Sequence, residues 1–178
     1  MVARPPADAR RILIRLPNWL GDALMSRPLL HALRAAFPAA EIRAIGPGPL
    51  LELLAAECAF DRGLPWPASG GARAALARAL AAWGPDVALV LPPSFSSAWF
   101  ARRTRAQARI GFAHEGRSLL LTHAVRRPAR GERHQSLEYL DLAAALGQGS
   151  SPSGPWPGRP PAMALPPEAH ARAAELIA

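Results

Sequence analysis

The chain has 178 residues, half of them hydrophobic and 19% charged, with 20 Pro, 14 Gly and one Cys. That length suits one domain with a tail, and the apolar half can fill a core, which excludes a wholly disordered chain. A single cysteine excludes a disulfide framework and a Cys-rich zinc module. The 21 basic residues, all arginine, outnumber the 13 acidic ones and leave a charge of +8, which favours polyanionic partners: nucleic acid, an anionic membrane face or a phosphorylated substrate. No stretch approaches the ~20 apolar residues of a membrane-spanning helix. Met1–Arg11 alternates Arg, Pro and Ala without a signal peptide's apolar core, so the expected compartment is the cytoplasm.

In chain order, Arg11–Leu16 is a β-branched apolar run stopped by Pro17-Asn18, the pattern of a buried central strand. From Asp22, the positions Leu24, Leu29, Leu30, Leu33 and Phe37 recur at roughly helical spacing until Pro38. Glu41–Ile45 reads as a second strand and Gly46-Pro47-Gly48-Pro49 as a turn, followed by a helix over Leu50–Cys58. Cys58, on that helix's apolar face with Leu54, is expected to be buried. Leu64–Trp66 is a strand stub, and an Ala/Leu/Arg helix runs from about Gly71 to Trp83. Asp86–Leu91 is the clearest central strand; a helix over Phe95–Arg105 and a strand over Ala108–Phe112 follow. Residues 113–133 are less regular, and a last helix covers about Gln135–Leu146 with Gly147 as terminator.

Continuously apolar strands alternating with helices predict a Rossmann-like parallel α/β sheet with helices on both faces. The loops Pro17–Asp22, Gly46–Pro49, Pro92–Ser97 and Ala113–Arg117 should then share the rim at the strands' carboxyl ends, where such sheets bind ligands. The domain is expected to span residues 1–147. In residues 148–167, ten of 20 positions are Pro or Gly, the composition of a linker. Residues 168–178 open a new helix, as the start of a further domain would.

Asn18-Trp19-Leu20-Gly21-Asp22 sits between the first strand and its helix. Asp22 there suits an N-cap, but exposed Trp and Leu beside it would also raise its basicity and suit a general base. With no lysine and no G-x-G-x-x-G, the loop is neither a Walker loop nor a dinucleotide fingerprint. Ser94 suits either an N-cap or a hydroxyl on the ligand rim. Trp99 and Phe100 followed by Arg102, Arg103 and Arg105 suit a core-facing stripe with arginines at the helix's negative end, or a contact with acidic lipid headgroups. Arg109, Arg117, Arg126, Arg127, Arg130 and Arg133 form either a solvated face or a dock for phosphates. None of the five histidines has a metal-ligand partner at suitable spacing, so no metal site is expected.

Four segments in order carry a resemblance: Arg15-Leu-Pro-Asn-Trp-Leu-Gly-Asp-Ala-Leu-Met-Ser26, Leu91-Pro-Pro-Ser-Phe-Ser-Ser-Ala98, Arg109-Ile-Gly-Phe-x-x-Glu-Gly-Arg117 with Leu119-Leu-Leu-Thr122, and His134-Gln-Ser-Leu-Glu-Tyr-Leu140. The sequence resembles the bacterial ADP-heptose:lipopolysaccharide heptosyltransferase family (glycosyltransferase family 9), and within it the heptosyltransferase II branch. The resemblance implies the N-terminal, acceptor-binding half of a two-domain GT-B glycosyltransferase, whose second domain would follow residue 178. It implies inverting, metal-independent transfer of heptose from ADP-heptose, needing no other cofactor, with Asp22 as general base. Trp19, Leu20 and Gly21 would approach the donor phosphates. Arg109 and Arg117, with Ser94, Ser97, His134 and Gln135, would bind a phosphorylated lipid A–Kdo–heptose acceptor of the lipopolysaccharide inner core. It further implies a cytoplasmic protein at the inner-membrane surface, with no nucleic-acid partner, and an isolated chain that does not transfer heptose. Two other readings are a basic Rossmann-like module for nucleic acid, resting on net charge alone, and a non-catalytic interaction subunit, which an intact Asp22 disfavours.

Overall fold

The computed structural model describes residues 6, 8–114, 116–129 and 131–147, together with positions 163, 168, 172 and 175. The expected linker therefore lies outside the described residues apart from Met163, and of the last helix only Glu168, Arg172 and Glu175 are described, each as helical.

Six strands form one sheet in the order β3-β2-β1-β4-β5-β6, and every pairing is parallel. They are β1 (Arg11–Arg15), β2 (Glu41–Gly46), β3 (Arg62–Pro65), β4 (Val87–Val90), β5 (Ala108–Phe112) and β6 (His123–Val125). The four residues of β4 are all buried, as its apolar run requires of a strand covered on both faces. The helices are α1 (Leu20–Met25), α2 (Arg27–Ala36), α3 (Gly48–Ala55), α4 (Gly70–Trp83), α5 (Phe95–Arg103) and α6 (Gln135–Ala144). One core layer joins Ile12, Ile14, Leu89 and Ile110 of the sheet to Ala23, Leu30, Leu54 and Leu142 of α1, α2, α3 and α6. The other joins Leu13, Ile45 and Val90 to Leu80 of α4 and Phe100 of α5, and includes Leu120 of a 3₁₀ turn at Arg117–Leu120.

The sequence expectations fail in four places. The long first helix is two, meeting at Ser26, because Pro28 within the first positions of α2 has no N–H with which to continue the hydrogen-bond ladder of α1. The Gly46–Pro49 segment is less turn than expected, since Gly48 and Pro49 already belong to α3. A sixth strand, β6, arises where irregular chain was expected; its three residues are all partly exposed and carry no apolar run. Cys58 is not a buried packing residue. The helix stops at Ala55, and Cys58 lies beyond it, exposed, at φ 51°.

Two glycines are required by geometry. Gly84 ends α4 at φ 71° and donates its N–H to Leu80 O at 3.0 Å, a left-handed C-cap that L-residues occupy at a cost. Gly111 in β5 lets Arg117 lie flat on the sheet. A Cβ there would sit 2.9 Å from Val90 O and 3.0 Å from Arg117 Nη2. Gly111→Ala is therefore expected to lower stability by about 1–3 kcal/mol, measured as a shift of the denaturation midpoint at unchanged slope.

Candidate active site

The strand order reverses at β1, which has β2 on one side and β4 on the other. The chain leaves β1 toward one face and β4 toward the opposite face, so the loops after them splay apart and leave a crevice at the carboxyl rim. Trp19–Asp22 borders it from one side and Pro92–Ser94 from the other.

Asp22 is in the first turn of α1, whose N-cap is Trp19. It makes no capping bond: the N-cap reading fails because the cap falls three residues earlier, at Trp19. Its carboxylate is instead half-buried and held from across the fold. Gln135 Nε2 donates to Asp22 Oδ1 at 2.8 Å and also lies 3.1 Å from the Tyr139 hydroxyl. Both partners are on α6, which packs against α1 and α2, and Ser136 Oγ contacts Met25 Sδ at 3.3 Å in the same seam. Burial raises the Tyr139 hydroxyl to about 12, so it stays protonated and can donate. The other Asp22 oxygen has no hydrogen-bond donor among the described residues. Beside it, Trp19 is 77% exposed, Leu20 is exposed, and Gly21 has open space at its Cβ position.

The other wall is cationic. Arg15, only 3% exposed, ends β1. Its guanidinium donates to Asn18 Oδ1 at 2.6 Å and to Leu16 O, and lies 4.0 Å over the Trp66 ring. Burial, and then repulsion from Arg73, lowers its pKa to about 10, which still leaves it charged at neutral pH. Arg117, 2% exposed, donates to Pro92 O at 2.7 Å, while its Nε and Nη2 have no partner among the described residues. Burial likewise lowers it to about 10. In the sheet Arg15 is level with Val90, and Val90 with Gly111, over which Arg117 lies. Two buried guanidiniums thus flank the loop that leads into α5. Arg117 also lines a cleft of about 230 Å³ with Ser94, Phe95 and His114.

The structure separates the remaining expected site residues. Ser94 caps α5 by accepting from Ser97 N at 3.3 Å, and its hydroxyl donates to Ser97 Oγ at 2.8 Å. Ser94 keeps an exposed edge on the cleft, whereas Ser97 is buried in this cap. Arg109 does not reach the rim. It is level with Leu13 and Ala88, and its guanidinium holds Leu120 O at 2.9 Å and Ala106 O at 2.7 Å. His134 is exposed and caps α6 by accepting from Ser136 N at 3.3 Å. Gln135 sits on Asp22 rather than open to a ligand. Arg15 and Tyr139 escaped the sequence reading. The available signal was that both lie inside the resembling segments, Arg15 also as a charged residue closing an otherwise apolar strand.

Among the described residues, no group of three or more His, Cys, Asp or Glu could hold a metal ion, and no helix is long and apolar enough to cross a membrane.

The profile of glycosyltransferase family 9 (heptosyltransferase) matches residues 73–161, half the chain. The chain is 34% identical over 119 residues to lipopolysaccharide heptosyltransferase 2 of Salmonella typhimurium, a stretch that is 64% of this chain and 34% of that protein. It is 33% identical over 116 residues to lipooligosaccharide heptosyltransferase 2 of Haemophilus ducreyi, covering 62% of this chain and 33% of that one. The matched stretch thus spans about a third of the length of these relatives. Among solved structures, ADP-heptose lipopolysaccharide heptosyltransferase II of E. coli superimposes with a TM-score of 0.74 at 26% identity, over 94% of this chain and 50% of that one. A family 9 glycosyl transferase from Veillonella parvula shares the fold, with a TM-score of 0.71 at 22% identity over 82% and 43% of the two chains. The parallel sheet, its strand order and these matches make one assignment: the chain belongs to glycosyltransferase family 9, the heptosyltransferase family.

Proposed function

We propose that this chain is the acceptor-binding half of an inverting glycosyltransferase that moves heptose from ADP-heptose onto the inner core of lipopolysaccharide, with Asp22 as general base. The observation that carries the reading is the Asp22 carboxylate: half-buried, oriented by Gln135, and set at the rim beside exposed Trp19 and Leu20. Asp22 takes the proton from an acceptor heptose hydroxyl, and that oxygen attacks the anomeric carbon of the donor. ADP departs from the opposite face through an oxocarbenium-like transition state. Developing charge on the leaving diphosphate calls for fixed cationic or N–H donors rather than a mobile ion. The amides of Trp19, Leu20 and Gly21 approach the donor phosphates from the first loop. Arg117, with two unpartnered guanidinium nitrogens beside the cleft, and Ser94 face the phosphorylated lipid A–Kdo–heptose acceptor. Gln135 acts as a positioning residue for Asp22, and Arg15 does the same for the loop by holding Asn18. Arg109 and Ser97 act through structure alone. The enzyme works at the cytoplasmic face of the inner membrane, where such a lipid acceptor is presented.

Three outcomes follow from this reading. In a two-domain form of the protein, Asp22→Asn is expected to lower kcat by about 10²–10⁴-fold with the melting temperature unchanged; a lowered melting temperature with activity retained overturns the assignment. In the same form, Gln135→Leu is expected to lower kcat about tenfold with KM for both substrates unchanged, because a loosened base loses orientation and not binding. The 178-residue chain alone is expected to release no ADP from ADP-heptose above background in the presence of acceptor, since most of the nucleotide-sugar pocket belongs to the second domain in this reading. Robust turnover by the chain alone overturns that division of labour.

A further inference from the structure

The outer face of α5 is amphipathic in the reverse of the usual sense. Its inward positions Ser97, Ala98, Phe100 and Ala101 are buried, as a core-facing stripe should be. Its outward positions begin with large apolar side chains and end with charge. Phe95 and Trp99, one turn apart, are 57% and 47% exposed, and Arg102 and Arg103 follow at the next turn. Leu119, on the 3₁₀ turn that packs against α5, is 85% exposed. Three of the five exposed large hydrophobics among the described residues therefore lie on this one ridge, and of them only Phe95 also borders the cleft beside Arg117.

Beside the ridge, α4 and α5 enclose an open groove of about 660 Å³. Arg78, Arg102, Arg103 and Arg105 line it with Trp99, and no carboxylate does. None of these four guanidiniums has a hydrogen-bond or ion-pair partner among the described residues. They differ in this from Arg15, Arg109 and Arg117, each of which holds at least one backbone carbonyl. Four unpaired like charges around one groove repel one another and carry no evident benefit for folding; they become favourable when an anionic surface approaches. Aromatic rings beside arginines are the side-chain set of a bilayer interface. The rings sit at headgroup depth, and each arginine lays its stem along them while its head meets phosphate.

We propose that the ridge Phe95–Trp99–Leu119 and the groove Arg78–Arg102–Arg103–Arg105 form a docking surface for an anionic phospholipid bilayer. The charge is complementary, and the ridge projects apolar groups far enough to enter the interface. Nucleic acid fits less well, because exposed leucine and phenylalanine at the ridge's end offer nothing to a phosphate backbone. Phe95 opens α5 directly at the carboxyl rim, so a bilayer on this face brings the crevice beside the headgroups. The inference stands independently of sugar transfer.

The test is co-sedimentation of the 178-residue chain with vesicles of phosphatidylcholine alone or with 30 mol% phosphatidylglycerol added, a composition of about one anionic headgroup in three. Binding only to the anionic vesicles is expected. Arg102→Glu with Arg103→Glu is expected to weaken it at least about tenfold. Arg62→Glu with Arg126→Glu, the same charge change at an exposed position of the edge strand β3 and at the exposed residue just after β6, is expected to weaken it no more than about threefold. Trp99→Ser is expected to weaken binding at unchanged net charge. Melting curves verify folding of each variant. The proposal is overturned by equal loss in both charge-reversed pairs, by retention of binding in the Arg102/Arg103 pair, by no preference for anionic vesicles, or by binding of duplex DNA through these arginines without binding to vesicles.

Discussion

The parallel pairing of β1 with β4 is the constraint from which the candidate site follows. It sets Arg15 level with Val90, it makes the strand order reverse, and it sends the two succeeding loops to opposite faces. The acidic wall then comes from the side covered by α1 and α6, and the cationic wall from the side covered by α5 and the 3₁₀ turn. Neither wall is a local sequence property. Asp22 owes its orientation to Gln135, 113 residues away, and Arg117 reaches Pro92 across the 25 residues that contain α5 and β5.

This explains what was legible in the sequence and what was not. β4 is an unbroken run of Val, Ala and Leu, and β1, β2 and β5 carry Ile, Leu, Ala or Phe at most of their buried positions, as strands covered on both faces require. The parallel class followed, and with it the rim. β6 was invisible because a three-residue edge strand with one neighbour has no need of an apolar run. The boundary at Ser26 was obscured because Leu24 and Leu29 keep the helical period on both sides of it. Cys58 was misplaced by extending periodicity beyond α3, where a left-handed residue turns the chain. Among site residues, a loop motif could nominate Asp22 and Arg117. Only the tertiary contacts could show that Arg109 is spent on backbone carbonyls and that Gln135 holds a carboxylate.

Arginine therefore has two separate uses here. Inside, Arg15, Arg109 and Arg117 each bind carbonyl oxygens, and burial lowers the pKa of all three without discharging them. These buried cations make stability and site potential inseparable, because neutralising one leaves orphaned carbonyls as well as a weaker field. Outside, the groove arginines satisfy no protein group, so their replacement leaves the fold's internal bonding intact. The net charge of +8 conflates the two populations.

The exposed thiol of Cys58 has a practical consequence. It is the chain's single cysteine, and it follows α3, which packs on the sheet face opposite α5. A maleimide dye or spin label therefore attaches at one defined point without engineered cysteines, on the far side of the sheet from the arginine groove. The position gives single-site spectroscopy a reporter that leaves both the rim and the α5 face chemically untouched.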